Sequence, residues 1–221
     1  MPSPEQASAW YSATDPVHGF DHILRVYDMA QRIARIEGAD LRIVCAAALL
    51  HDVGGEQPLI NPKDGDENLT SSRANHQLGA TEFARKVLQD EGWNDSDIHA
   101  VQHCIRAHRF RDLSEQPETL EAQVLFDADK LDAIGAIGVA RAIAYAVKAG
   151  APVFCQPSQT FLATGQLENG ERHSAYHEFL FKLQKISSRM YTQTGKVLAK
   201  DRHQIMEIFF EKLMADALGK G

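Results

Sequence analysis

Apolar residues along this chain recur at the spacing of helices. Between residues 20 and 37, one helical face collects the positions i, i+4, i+7 and i+11, which are His22, Val26, Met29 and Ile33. No segment alternates apolar and polar residues, as a half-buried strand does, for longer than a few positions. The pattern therefore predicts an all-α fold.

Capping residues and turn formers predict where the helices begin and end. Asp40 is an N-cap residue type that precedes a helix through Leu50, and the pair Gly54–Gly55 follows this helix as a stop signal. Residues 55–70 and 150–170 are rich in turn formers and are predicted to be irregular; long loops of this kind often carry function. Further helices are predicted over residues 71–92, 94–108, 171–183 and 194–218, and the Ala- and Gly-rich residues 119–148 are assigned to the core.

The length and charge of the chain limit its architecture and its partners. With 221 residues, of which 44% are hydrophobic, the chain can bury one sizeable core. We expect a single domain over residues 1–221, with its core at about 18–148 and the C-terminal helices, residues 171–218, packed on it. The formal net charge of −7 argues against a nucleic-acid polymer or an anionic membrane as partner, because both select clustered Lys and Arg.

The cysteines and the N-terminal residues bear on the cellular compartment. Cys45, Cys104 and Cys155 are far apart and odd in number, with no CxxC pair, so neither a disulfide framework nor a thiolate zinc site is indicated. The N-terminus has no basic segment followed by an apolar stretch, and no apolar run approaches the roughly 20 residues that a bilayer requires. We expect a cytoplasmic protein.

Polar residues occupy inward positions where a purely structural core would carry Leu or Ile. His22 shares the apolar stripe of its helix, His51 continues the stripe of the next helix, and Asp129 follows Leu125 and Phe126 by one helical turn. An unpaired carboxylate among apolar neighbours costs several kcal/mol unless a cation neutralises it. A single inward His is more often a hydrogen-bonded core residue than a ligand, so it is the ordered set of such residues that favours a metal site.

This ordered set resembles a known signature. His22, the doublet His51–Asp52 and Asp129 follow the H…HD…D pattern of the HD superfamily of metal-dependent phosphohydrolases, and the surrounding segments are HILRV, AALLHDVG and LFDADKLDAIGAIGVAR. The resemblance covers about residues 18–142 and is closest to the small stand-alone bacterial subgroup. It implies a bundle of helices around a metal held by His22, His51, Asp52 and Asp129, and a phosphate ester, often a nucleotide, as substrate.

The resemblance also implies the chemistry. A divalent cation, which could be Mg, Mn, Fe, Co, Ni or Zn, lowers the pKa of a coordinated water and orients a phosphoryl oxygen for in-line attack. No side-chain nucleophile is then required. Asp52 can both ligate the metal and accept a proton from the water, and the sequence does not separate these two roles. Lys130, beside Asp129, can neutralise a phosphate oxygen or pair with a nearby acid.

Three arginines are candidates for binding the substrate phosphate. Arg106 and Arg109 flank His108 in the segment IRAHRFR, a local positive cluster in an acidic protein. The alternative for this cluster is a solvated helix end. Arg25 follows His22 by three positions and can reach the same cavity, although a surface ion pair is the simpler interpretation.

Further histidines raise the question of a second metal. Some relatives within the superfamily use histidines between the doublet and the last Asp for this purpose, and His76, His103 and His108 fall in that interval. His103 and His108 lie about 140° apart on an ideal helix, so one straight helix cannot aim both at one point. We therefore expect one metal, with His103 and His108 as catalytic neighbours, and keep two metals as the alternative. His18 is interpreted as a surface residue near the entrance.

Two other functions remain open at this level. Some proteins of this helical architecture hold two irons and oxidise their substrates with O₂. A ligand-binding or signalling module could instead keep a metal for stability and turn nothing over. The sequence does not identify the substrate, and a homodimer is possible.

Overall fold

The computed structural model describes residues 1–11, 19–53, 67–109 and 115–220, and it describes the side chains of all of these except residues 67–78. The described residues form α-helices and two short 3₁₀ helices but no strand, which confirms the predicted all-α fold. The α-helices are α1 (Pro4–Ser8), α2 (Phe20–Glu37), α3 (Leu41–Leu50), α4 (Glu67–Asp90), α5 (Asp95–Ala107), α6 (Leu120–Asp132), α7 (Gly135–Lys148), α8 (Gln159–Thr164), α9 (Ala175–Phe181) and α10 (Gln193–Ala217). None of these helices combines the length and the apolar character needed to cross a bilayer.

The chain divides into two compact units. The first comprises Met1–Lys130 together with Met190–Gly195, and the second comprises Leu131–Arg189 together with Lys196–Gly221. All of the predicted metal ligands lie in the first unit. The single domain over residues 1–221 stays a prediction.

Helix α3 is the buried centre of the first unit. As predicted, Asp40 caps its N-terminus, accepting hydrogen bonds from the backbone N–H groups of Arg42 and Ile43. Every residue from Ile43 to Leu50 is buried, because α3 packs against both α2 and α5 and its alanines allow close approach. The helix ends at Leu50, so His51 and Asp52 leave it inside the unit.

Helix α5, like α3, has a polar N-cap residue and a histidine as its C-cap. Asn94 caps it by accepting from the backbone N–H of Asp97, and acidic residues in the first turn favour the positive end of the helix dipole. The helix packs against α3 and α4. It ends at Ala107, and His108 is its C-cap.

Asp127 of α6 fixes the segment 190–195 within the first unit. Its buried carboxylate accepts hydrogen bonds from the backbone N–H groups of Tyr191 and Thr192, at 2.9 and 2.8 Å, and from the Thr192 hydroxyl at 2.7 Å. Gly195 lies so close that a Cβ there would stand 2.2 Å from Asp127 Oδ2. Only glycine fits against this carboxylate.

In the second unit, Glu171 joins the starts of two short helices. Its side chain accepts from the backbone N–H and the hydroxyl of Ser158, which caps α8, and it contacts His177 Nε2 at 3.0 Å. The His177 backbone N–H donates to the hydroxyl of Ser174, the N-cap of α9. Aromatic packing completes this unit, with the rings of Phe179 and Phe210 stacked at 4.4 Å.

Several predicted boundaries are wrong. Helix α4 begins at Glu67, so residues 67–70 are helical and not part of a loop, and α8 lies within the stretch 150–170 that was predicted to be irregular. Residues 171–174 are not helical, because the Glu171 side chain is committed to the start of α8. The stretch 119–148, for which no helix bounds were predicted, contains α6 and α7, and α1 was not predicted at all.

Candidate metal centre

Three helices of the first unit bring the predicted ligands together. His22 lies on the buried face of α2, His51 and Asp52 follow α3, and Asp129 lies in the last turn of α6. Helix α5 adds His108, which is buried at its C-cap. The sequence therefore brings four of these residues to one place by their helical registers and a fifth by the end of α5.

The donor atoms form two overlapping groups. The ligand atoms of His22, His51 and Asp129 all lie within 4.8 Å of one another, and so do those of His51, Asp52 and His108. His22 Nε2 is 3.5 Å from Asp129 Oδ1, and His108 Nε2 is 3.7 Å from Asp52 Oδ1. His51 belongs to both groups, and its Nε2 is 3.8 Å from Asp52 Oδ2.

Backbone carbonyls set the tautomers of two of these histidines. His51 Nδ1 lies 2.9 Å from the carbonyl oxygen of Ala48, and His108 Nδ1 lies 2.5 Å from that of Ile105. A carbonyl can only accept, so each Nδ1 carries the hydrogen and each neutral ring leaves its Nε2 lone pair free. In each case the carbonyl belongs to the last turn of the helix, where it has no continuing helical N–H to accept from.

The electrostatics of the site favour ionised Asp52 and Asp129, and burial favours the neutral form of His51. Burial raises the pKa of Asp52, but His51 and His108 outweigh this effect and hold that pKa well below its usual value. Burial likewise raises the pKa of Asp129, but Lys130, with its ammonium 2.5 Å from Asp129 Oδ2, and the three imidazoles lower it. Burial lowers the pKa of His51 more than the nearby carboxylates raise it. Negative charge and neutral nitrogen lone pairs are the donors that a divalent cation requires.

Nearby carboxylates pair with three of the predicted substrate-binding and catalytic residues, which are Arg25, His103 and Arg106. Arg25 pairs with Asp21 on its own helix at 2.6 Å. Arg106 Nε and His103 Nδ1 each lie 2.6 Å from Glu115, on its two carboxylate oxygens. His103 Nε2 accepts from the backbone N–H of Glu118, so both of its ring nitrogens are engaged away from the two donor groups.

Arg109 and Lys130 directly follow His108 and Asp129 in the chain. Arg109 is partly buried directly after His108. Lys130 lies within reach of Asp129 and also 5.5 Å from the centre of the Phe126 ring. His18, the side chain of His76 and the last residue of the segment IRAHRFR, Arg111, fall outside the described residues.

Sequence reasoning missed one residue next to the doublet. The hydroxyl of Tyr11, just after α1, donates to the carbonyl oxygen of Leu49 at 2.8 Å. The sequence carried no signal for this contact, because it joins residues that are 38 positions apart and depends on how α1 packs on α3.

Comparison with known proteins defines the family. The protein-family model of the HD domain matches residues 19–134 of the sequence. This range is more than half of the chain and includes all four predicted ligands. The chain belongs to the HD-domain family and is an HD-superfamily hydrolase of the small stand-alone bacterial kind, as its sequence resemblance implied. HD domains bind divalent metals, and the two overlapping donor groups are suited to hold one.

Individual relatives agree with this assignment. The uncharacterized protein YpgQ of Bacillus subtilis is 35% identical over 223 residues, covering 97% of this chain and 94% of YpgQ. The crystal structure of YpgQ in complex with ADP matches with a TM-score of 0.70 at 31% identity, over 99% of this chain and 100% of that one. A crystal structure of an HD-superfamily hydrolase from Bacillus thuringiensis matches with a TM-score of 0.62 at 27% identity, over 90% of this chain and 86% of that one.

Proposed function

We propose that this protein is a metal-dependent phosphohydrolase that cleaves a phosphate ester of a small molecule, with a nucleotide as the favoured substrate class. The observation that carries the proposal is the state of His51. Its Nε2 is buried without a hydrogen-bond partner among the described residues, while its Nδ1–H is held by the Ala48 carbonyl. A buried nitrogen lone pair left in this way is costly unless it binds a cation.

The surrounding donors fit a divalent cation. His22, His51, Asp52 and Asp129 would hold it, and they offer two imidazole nitrogens and two carboxylates whose pKa values are lowered. This mixed set of nitrogen and oxygen donors suits a divalent transition metal such as Mn²⁺, or Mg²⁺. The geometry supports one cation, because His51 is shared by both donor groups; two cations remain the alternative that metal stoichiometry distinguishes.

The residues of the chain would divide the chemistry between them. A bound cation would supply a Lewis acid for a phosphoryl oxygen and would lower the pKa of a water. Asp52 is half exposed and ionised, so it can accept the proton of the attacking water at a carboxylate oxygen. His108 lies beside Asp52 and can take up that proton at Nε2. The proton is then delivered to the oxygen that leaves phosphorus.

Positive side chains would bind the charged substrate. Lys130 offsets the charge of Asp129 and so reduces repulsion of an approaching phosphate. Arg109 directly follows His108 in the chain and is the arginine that we assign to the substrate phosphate. The nucleotide class is supported by the relative YpgQ, whose crystal structure contains ADP.

The test compares Asp52→Ala and Asp129→Ala with Asp28→Ala, which removes an exposed carboxylate from α2. We expect both site variants to lose bound metal and to lose phosphate or pyrophosphate release from a panel of nucleotides, while the control keeps both. Metal content by elemental analysis and product release by chromatography are the measurements. A site variant with full metal content would contradict the assignment. Two irons with oxygen consumption would indicate an oxygenase, and full metal without turnover of any substrate would indicate a binding module.

A further inference from the structure

The Tyr11 hydroxyl lies at the end of the helix that delivers the metal-binding doublet. Its O–H donates to the carbonyl oxygen of Leu49, which belongs to the last turn of α3. In a continuing helix that carbonyl would accept from the N–H of residue 53, but the Val53 N–H is directed to Leu50 at 3.5 Å. Tyr11 therefore supplies the hydrogen bond that the end of the helix leaves unmade.

The same hydroxyl is close to Asp52. Burial raises the pKa of Tyr11 well above its ordinary value, and the charge of Asp52 raises it further. The phenol thus contacts the first residue of the turn from Leu49 to Asp52. This turn contains His51 at its centre.

The ring of Tyr11 is anchored independently of the metal site. It packs against an apolar cluster of Ala7, Ile23 and Leu49, and its centroid is 5.7 Å from that of Phe20. The neighbouring Trp10 packs edge-on to Phe83 of α4 at 5.4 Å. A hydroxyl on a fixed ring can impose a position on the backbone that it contacts.

Asp52 needs such a constraint more than the other ligands do. The side chain of His51 is fully buried and hydrogen-bonded to Ala48, but the side chain of Asp52 is 39% exposed. Its contacts with His51 and His108, at 3.8 and 3.7 Å, are longer than hydrogen bonds and do not fix its direction. The backbone turn therefore sets where this carboxylate points.

We infer that Tyr11 is a positioning residue for the metal site, holding the turn from Leu49 to Asp52 so that both members of the doublet face the same cation. The inference rests on the proposed function, because it assumes that Asp52 is a metal ligand. Residues that orient ligands from outside the coordination sphere typically contribute about 10–100-fold to metal affinity. Tyr11 acts through the peptide backbone and not through a ligand side chain.

The test removes one oxygen atom. Tyr11→Phe keeps the ring and its packing. Tyr27→Phe makes the same change to a second tyrosine that packs against the same apolar cluster but whose electrostatic partner is Cys45 and not the turn from Leu49 to Asp52. The metal-free forms of both variants and of the parent protein are titrated with Mn²⁺ by calorimetry and with Co²⁺ by visible absorption, at a temperature where circular dichroism shows all three folded. We expect Tyr11→Phe to bind Mn²⁺ about 10-fold more weakly or worse and to change the Co²⁺ spectrum, and Tyr27→Phe to match the parent.

The outcomes separate this inference from the function on which it rests. Parent-like Mn²⁺ affinity and Co²⁺ spectrum in Tyr11→Phe would overturn the positioning role, even if the melting temperature falls, because a merely structural contact changes stability alone. Equal losses in both tyrosine variants would also overturn it. If Asp52→Ala retains metal, the proposed function fails whatever Tyr11→Phe does. If Asp52→Ala loses metal and Tyr11→Phe does not, the function stands and the positioning role falls.

Discussion

Replacing Asp127 with asparagine tests how strongly α6 holds the segment 190–195. The substitution keeps the size of the side chain but replaces one acceptor oxygen with an NH₂ donor. The carboxylate accepts from the N–H groups of Tyr191 and Thr192 and from the hydroxyl of Thr192. In the more favourable of its two orientations, the asparagine oxygen accepts the two hydrogen bonds from Thr192. Its NH₂ group then faces the N–H of Tyr191, which is also a donor.

The expected cost is set by these bonds. A hydrogen bond to a charged group contributes about 1.5–3 kcal/mol and a neutral one about 1 kcal/mol, so two bonds weaken and the third is lost. Relief from desolvating a buried charge offsets part of this loss. We expect the free energy of unfolding to fall by about 2–4 kcal/mol, which is a large part of the 5–15 kcal/mol typical of a folded protein.

The assay is urea denaturation of the metal-free protein, so that metal binding does not contribute to the measured stability. Asp28→Asn is the matched control, because Asp28 is exposed on α2 and its substitution should change stability by no more than about 0.5 kcal/mol. Bound metal should remain at the parent level in Asp127→Asn once the protein is folded. If Asp127→Asn and Asp28→Asn unfold at the same urea concentration, the three bonds do not hold this segment.

Two further predictions concern the second unit. Burial raises the pKa of Glu171, but hydrogen bonds from His177, Glu168 and Ser158 outweigh this effect and lower it from 4.5 to about 2. The Glu171 carboxylate therefore stabilises the fold above pH 4.5, and this stabilisation is lost as the pH falls towards 2. Glu171→Gln should therefore be less stable than the parent at pH 7, with the difference shrinking below pH 4.5 in urea titrations; a pH-independent difference would contradict the assignment. Gly138→Ala should cost about 1–3 kcal/mol, because its Cβ would lie 2.3 Å from the Ala133 carbonyl oxygen. Gly79→Ala, with nothing within 4 Å, should instead gain up to about 1 kcal/mol in thermal unfolding, and equal effects would refute the contact argument.

Local patterns explain which parts of the fold the sequence predicted. Helices α2, α3 and α5 follow from apolar periodicity and from the capping residues Asp40 and Asn94, which act within four positions of the residues that they cap. Helices α1 and α8 are only 5 and 6 residues long, too short for periodicity to register. The start of α9 depended on Glu171 bonding to Ser158, a contact between residues 13 positions apart.

The candidate site likewise contains residues that local sequence patterns predict and residues that they do not. His22, His51 and Asp129 could be found because an unpaired polar residue on an apolar stripe is costly, and the structure places their donor atoms together. The role of Arg106 could not be inferred from charge alone, because its partner Glu115 lies 9 positions further along the chain. The sequence did not predict that Tyr11 and Asp127 hold other segments in place, because both bond to backbone groups. A sequence does not show which backbone groups need a side-chain partner.

The C-cap positions of His51 and His108 bear on how this protein can diversify. Each imidazole is anchored from the upstream side, by the carbonyl three residues before it, and neither tautomer depends on the residues downstream. One residue inserted into α3 or α5 would rotate the ring by about 100° and shift it by about 1.5 Å, which would destroy the donor set. Residues added after Val53 or Arg109 carry no such penalty. Evolution can therefore change the length of the chain beyond Val53 and Arg109 without displacing the two imidazoles.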